Sequence, residues 1–175
     1  MFGGRWGRGP MSEHRPDDED VAPALAMTGR AMTAAMMSKL AARGFEHLTP
    51  AFTSIIAILD PAGNRATVLA QRAGVSKQAM SQLIRLLIAR GYVEQVADPS
   101  DTRAKVIRST KRGTALRTAC FEVRGELHAL AVQELGAKNA DRLRADLERL
   151  YAAFRESTAP SVPPPAKPAR KTSRK

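Results

Sequence analysis

Apolar residues recur at helical spacing over most of this chain, and two short β-prone stretches interrupt that spacing near residues 95 and 106. From about Ala24 to Arg43, Leu25, Met32, Met36 and Leu40 recur at helical spacing in an Ala- and Met-rich run, and Gly44 follows as a stop. Thr49 and Pro50 then suit the N-cap and first position of a second helix, which buries Ile55, Ile56, Ile58 and Leu59 and ends in the turn Asp60-Pro61-Ala62-Gly63-Asn64. Thr67 is the expected cap of a short third helix through Val68, Leu69, Ala70 and Ala73. Gly74 supplies a turn, Ser76 caps a fourth helix running to about Ala89, and Gly91 stops it. Tyr92 to Val96 and Lys105 to Arg108 are short and β-prone, and the polar loop Asp98-Pro99-Ser100-Asp101 between them predicts a hairpin. A long helix from about Thr110 to Leu135 and a last one from about Lys138 to Glu156 complete the pattern. The last carries Leu143, Leu147, Leu150 and Phe154 at spacings of four, three and four, a narrow seam suited to a helix-helix contact.

Helix, tight turn, second helix, strand, charged hairpin, strand is the order of a winged helix-turn-helix. The expected fold is therefore mainly α with a small β-wing, a domain over 21–156 whose DNA-binding lobe covers 48–109. Residues 1–20 are rich in Gly, Arg, Pro and acid, and residues 157–175 in Pro, Ala and Lys. Both compositions predict disordered segments, an arm and a basic tail.

The chain of 175 residues carries a formal net charge of +11, and its placement matters more than its total. Between Arg65 and Arg112 lie ten basic residues and three acids, Glu94, Asp98 and Asp101. The excess charge is concentrated where the helix-turn-helix and wing are expected. On a helical projection from Lys77, Ser81, Arg85, Gln78 and Gln82 fall at about 40, 80, 100 and 140°, and Leu86, Ala79, Leu83, Leu87, Met80 and Ile84 at about 180 to 340°. The polar side holds no acid. Gln can grip adenine at two points and Arg guanine at two points, Ser bonds either base, and a carboxylate there would be repelled by phosphate. Ser76 is either a helix cap or a phosphate contact. At the hairpin tip, Arg103 is placed to enter a minor groove with Asp101 as its brace, or the two simply stabilise a turn, and Lys105 adds a cation.

Leu48-Thr49-Pro50, the run LAQRAGVSKQAMSQLIRLLIARGYVE, DPSDTRAK, and Lys111-Arg112-Gly113 together resemble the MarR family of bacterial transcription regulators. The resemblance spans roughly residues 24–154. It implies a homodimer built by the helices at 24–43, 110–135 and 138–156, with two winged lobes on a pseudo-palindromic duplex operator. It further implies a sequence-specific regulator, expected to be a repressor, with Gln78, Ser81, Gln82 and Arg85 along the groove and Arg103 at the wing tip. Ser109 departs from the usual Leu that closes the wing, and Gln95 from a frequent Arg. The family also implies a small aromatic or anionic effector, for which Met27, Met36, Met37, His47 and Phe52 are the candidate lining.

Cys120, the single cysteine, excludes an internal disulfide and fits a reducing, cytoplasmic setting. Flanked by Ala119 and Phe121, it reads as a buried structural thiol rather than an oxidant sensor, although Arg117 and Arg124 lie nearby. One Cys and three scattered His build no metal site, and no run is long enough to span a membrane. No cofactor is implied. No paired carboxylate, phosphate loop or nucleophile elbow supports catalysis, so an enzyme is not expected. The competing class is an architectural, largely non-specific DNA-binding protein working through its basic tail.

Overall fold

A backbone hydrogen-bonded pair between a loop and a strand joins the helical part of this fold to its hairpin. The computed structural model describes residues 20–98 and 101–158, so the expected arm and tail fall almost wholly outside the described residues. Six helices and one two-stranded sheet follow in the order α1 (Val21–Ala41), α2 (Pro50–Ile58), α3 (Ala66–Ala73), α4 (Lys77–Ala89), β1 (Val93–Asp98), β2 (Asp101–Ser109), α5 (Lys111–Leu135) and α6 (Ala137–Thr158). The chain forms two compact units, one ending at His128 and the other beginning at Ala129.

Local chemistry explains most helix ends. The Asp20 carboxylate accepts from the Ala22 N–H at 2.9 Å and caps α1. Thr49 caps α2 with Pro50 in its first turn. Helix α3 departs from expectation: it starts at Ala66 with Arg65 at the cap position and no side-chain cap, leaving Thr67 inside the first turn. The Arg65 side chain is drawn elsewhere, to the wing. Helix α4 ends through Arg90 and Gly91, the latter at φ 71°.

The core of the first unit gathers Leu40 from α1, Phe52, Ile55 and Ile56 from α2, Leu69 from α3, Met80, Ile84 and Leu87 from α4, Tyr92 and Val93 beside the sheet, and Leu116 and Val123 from α5. Burying this many large aliphatic side chains is what holds the short α2, α3 and α4 in place, since isolated helices of that length are marginal in water. Arg72 adds a polar lock by gripping both oxygens of Asp60 at 2.9 and 3.0 Å and donating to the Ile58 carbonyl at 3.0 Å. Asn64 donates to the same carboxylate at 2.7 Å and accepts from the Asp60 N–H at 2.8 Å.

The wing docks through the next residues. Asn64 and Ile107 exchange two main-chain hydrogen bonds of 3.0 and 2.8 Å, an isolated bridge that extends the β1–β2 pair by one strand position. This close approach needs Gly63, at φ 89°, because a Cβ there would lie 2.8 Å from the Ile107 carbonyl oxygen. In the second unit, α6 leaves Leu143, Leu147, Tyr151 and Phe154 exposed and carries the ion pairs Arg144–Glu148 and Arg149–Asp146.

Two glycines of α5 should respond to alanine with opposite signs. At Gly113 a Cβ would stand 2.0 Å from the Tyr92 carbonyl oxygen and 2.6 Å from Ser109 Oγ, whereas nothing lies within 4 Å at Gly125. Gly113→Ala should cost about 2–4 kcal/mol in urea unfolding and Gly125→Ala should gain about 0.5–1 kcal/mol.

The Asp60 carboxyl is held below the ordinary value of 3.8, first by the Arg72 hydrogen bonds and then by Asn64. Its contribution to stability is therefore present above the unfolded value and fades as pH falls through and below it. Arg72→Gln should shrink the loss of melting temperature between about pH 5 and pH 2 relative to the parent chain.

Candidate nucleic-acid interface

Ser76 sets the entry of α4, its Oγ accepting from the Ala79 N–H at 3.1 Å. That bond uses only a lone pair, so the hydroxyl hydrogen remains able to donate to an anion at the helix N-terminus. Capping and phosphate contact are compatible here. Along α4, Met80, Ile84 and Leu87 are buried, while Lys77, Gln78, Ser81, Gln82 and Arg85 are exposed, so the expected reading side faces outward as one strip. Ser81 Oγ donates to the Lys77 carbonyl at 2.8 Å, which commits its hydrogen to the helix and leaves an acceptor for a base or water. Leu86 departs from the projection: it is 46% exposed at the rim of the strip, where the angular count placed it on the edge of the core side.

The wing presents Arg103 and Lys105 to solvent on β2. Its register pairs Ala97 with Lys105 and then jumps to Asp98 with Asp101, a register irregularity at this end of the sheet. Asp101 braces Arg103 differently from the expected side-chain pair. Its Oδ1 accepts from the Arg103 main-chain N–H at 3.2 Å, and its Oδ2 faces Arg65 Nη2 at 3.6 Å. Arg65 makes its closest contacts with Asp98, at 2.8 Å from Nε and 2.7 Å from Nη2, and the Asp98 side chain is only 10% exposed. Sequence reasoning missed Arg65. The available signal was an arginine at a helix start that lacks a capping side chain.

These contacts sort the charge. All three acids between Arg65 and Arg112 are engaged from within the same segment, Glu94 by Arg108 at 2.8 Å and Asp98 and Asp101 by Arg65. Lys77, Arg85, Arg90, Arg103, Lys105, Lys111 and Arg112 are exposed and make no ion pair among the described residues. A cationic surface with its carboxylates internally neutralised suits a polyanion.

Residues 49–104, which hold α2, α3, α4 and most of the wing, match the family model described as MarR family. Over that segment the chain is similar to the MarR family of winged helix-turn-helix transcriptional regulators. Solved MarR-type structures share the fold. A mutant of MarR from E. coli complexed with operator DNA is 19% identical, with a TM-score of 0.63 over 79% of this chain and 99% of that one. CouR from Rhodococcus jostii RHA1 bound to p-coumaroyl-CoA is 22% identical, with a TM-score of 0.61 over 78% and 95%. A mutant of MepR from S. aureus bound to an oligodeoxyribonucleotide is 20% identical, with a TM-score of 0.54 over 77% and 98%. No curated protein matches the chain in sequence. No described helix is long and apolar enough to cross a membrane.

The expected effector lining is dispersed. Phe52 lies in the core under the Arg90 guanidinium, which stands 5.1 Å from the ring centre. Met36 and Met37 pack against that core half-buried, Met27 is 50% exposed on α1, and His47 is exposed in a left-handed turn at φ 55°. The apolar character that suggested a lining is, at Phe52, spent on holding α2. The space beside Cys120, lined by Thr53, Ile56, Ala57, Arg117, Phe121 and Arg124, encloses about 20 Å³. That is room for about one water and far less than a ligand pocket.

Burial pushes the Cys120 thiol up from its ordinary value, and the opposing pull of Arg124 is smaller. A protonated, buried thiol reacts slowly. Native protein should therefore resist a chromogenic disulfide reagent and label fully in urea, and peroxide should leave Cys120→Ser and parent chains equally able to bind DNA.

Proposed function

We propose that this regulator acts as a homodimer that reads a pseudo-palindromic operator and represses the genes beside it. Major-groove contacts come from Ser76, Lys77, Gln78, Ser81, Gln82 and Arg85, and wing contacts from Arg103, held by Asp101, and Lys105. The observation that carries this reading is the outward strip of α4, which is polar, cationic and free of acids, beside a wing whose own acids are neutralised. A dimer is supported by α1, which buries only Leu40 of its 21 residues while exposing Val21, Met27 and Met32, and by the exposed seam of α6. Such apolar helices bury their surface against a second copy.

The reading extends to a small aromatic or anionic effector that binds one spacing of the lobes better than the other and so shifts the population away from DNA. Support comes from the similarity to CouR, which was solved with p-coumaroyl-CoA, and from Met27, Met36 and Met37 on the helix that a second copy would cover. Residues 21–156 would form this regulatory domain in the cytoplasm.

Selection of duplexes from a random pool, with and without aromatic acids, tests the proposal. A two-fold symmetric site should emerge. On that site Gln78→Ala or Arg85→Ala should each cost about 1–3 kcal/mol and relax the preference at one base pair per half-site, while Lys105→Ala should weaken all duplexes alike and lower the salt slope by about one. A pool with no enriched sequence, bound only in proportion to the basic tail at 160–175, would establish the architectural class instead.

A further inference from the structure

The turn of the wing is held by a residue far from it in sequence. Arg65 stands at the start of α3, 33 residues before Asp98, and its guanidinium reaches both residues that flank the hairpin turn. A hydrogen bond of 2.8 Å from Nε and an ion-pair contact of 2.7 Å from Nη2 both go to Oδ2 of the nearly buried Asp98 carboxylate, and Asp101 lies at 3.6 Å. Asp101 in turn holds the main chain of Arg103. The neighbouring Asn64 pairs with Ile107 through the backbone, so among the described residues Asn64 holds the wing at its base and Arg65 holds it near its tip.

We infer that Arg65 is a positioning residue for DNA recognition, which fixes the height and direction of the wing tip relative to α4 through Asp98. A two-stranded hairpin has little stability of its own. With only the Asn64 bridge at its base, the tip would pivot, and Arg103 would enter the groove at a variable distance from the reading helix. The Arg65–Asp98 contact removes that freedom before DNA arrives, and an exposed arginine is thereby used for shape instead of for phosphate. The inference rests on the DNA-reading function proposed above.

Its sign separates it from simple electrostatics. Asp98→Asn deletes a negative charge and frees Arg65, so Coulomb attraction alone tightens binding to every duplex. Positioning demands the opposite on a selected site. Asp98→Asn and Arg65→Gln should each bind the selected duplex about tenfold more weakly, the charged hydrogen bonds of the clamp being the strong kind. Hydroxyl-radical protection should fade at the wing-contact position and persist at the α4 contacts, and Arg103→Ala should cost little more in the Asp98→Asn background. The exchanged pair Arg65→Asp with Asp98→Arg should recover part of the loss, which excludes mere misfolding.

Amide exchange without DNA supplies an independent arm. In Asp98→Asn, exchange at Ala97, Arg103 and Lys105 should rise about tenfold while Val93 and Ile107 stay protected. Unchanged exchange, or tighter binding of the selected duplex by Asp98→Asn, would overturn the inference. Should the parent chain select no sequence at all, the DNA reading fails and the exchange experiment still decides whether Arg65 holds the wing.

Discussion

The placement of the wing beside the helices depends on the three-residue segment Gly63-Asn64-Arg65. It leaves the turn after α2, runs beside β2 for one hydrogen-bonded pair, and starts α3. Gly63 permits the approach, Asn64 supplies both main-chain bonds and a side chain that locks the Asp60 turn, and Arg65 reaches the wing. Helix-turn-helix and hairpin are thus joined by direct contacts, although a two-stranded sheet has little core of its own.

Electrostatics then follows from packing. Acids of α2 to β2 and their connections are tied up by arginines that the fold places beside them, Asp60 by Arg72, Glu94 by Arg108, and Asp98 by Arg65. Those arginines act as fasteners, and the remaining cations act as the field that a polyanion meets. Exposed pairs of this kind add little stability one by one. Their value is in local neutralisation and geometry, with Asp98 the exception because its carboxylate is nearly buried.

Much of the fold was legible because its signals are local. Thr49-Pro50 and Ser76 mark helix starts by capping chemistry, Gly44, Gly74 and Gly91 mark stops by positive φ, and the α4 projection separated Met80, Ile84 and Leu87 from the polar strip. What sequence reasoning misread depends on contacts across distance. Thr67 was expected to cap α3, but the helix begins one residue after Arg65, whose side chain is engaged with the wing. The Asp101–Arg103 spacing suggested a side-chain pair, yet the turn directs the carboxylate to the Arg103 main chain and to Arg65. Phe52, a candidate effector contact for which core packing was the alternative, is buried on α2.

Methylation interference on a selected duplex tests the central claim most directly, that α4 reads a major groove while the wing reaches an adjacent minor groove. Methyl groups at guanine N7 block the major groove and those at adenine N3 block the minor groove. The account predicts N7 interference in two symmetric clusters about one helical turn apart, each flanked by N3 interference on its outer side. Interference spread evenly along the duplex, or confined to the minor groove, would contradict it.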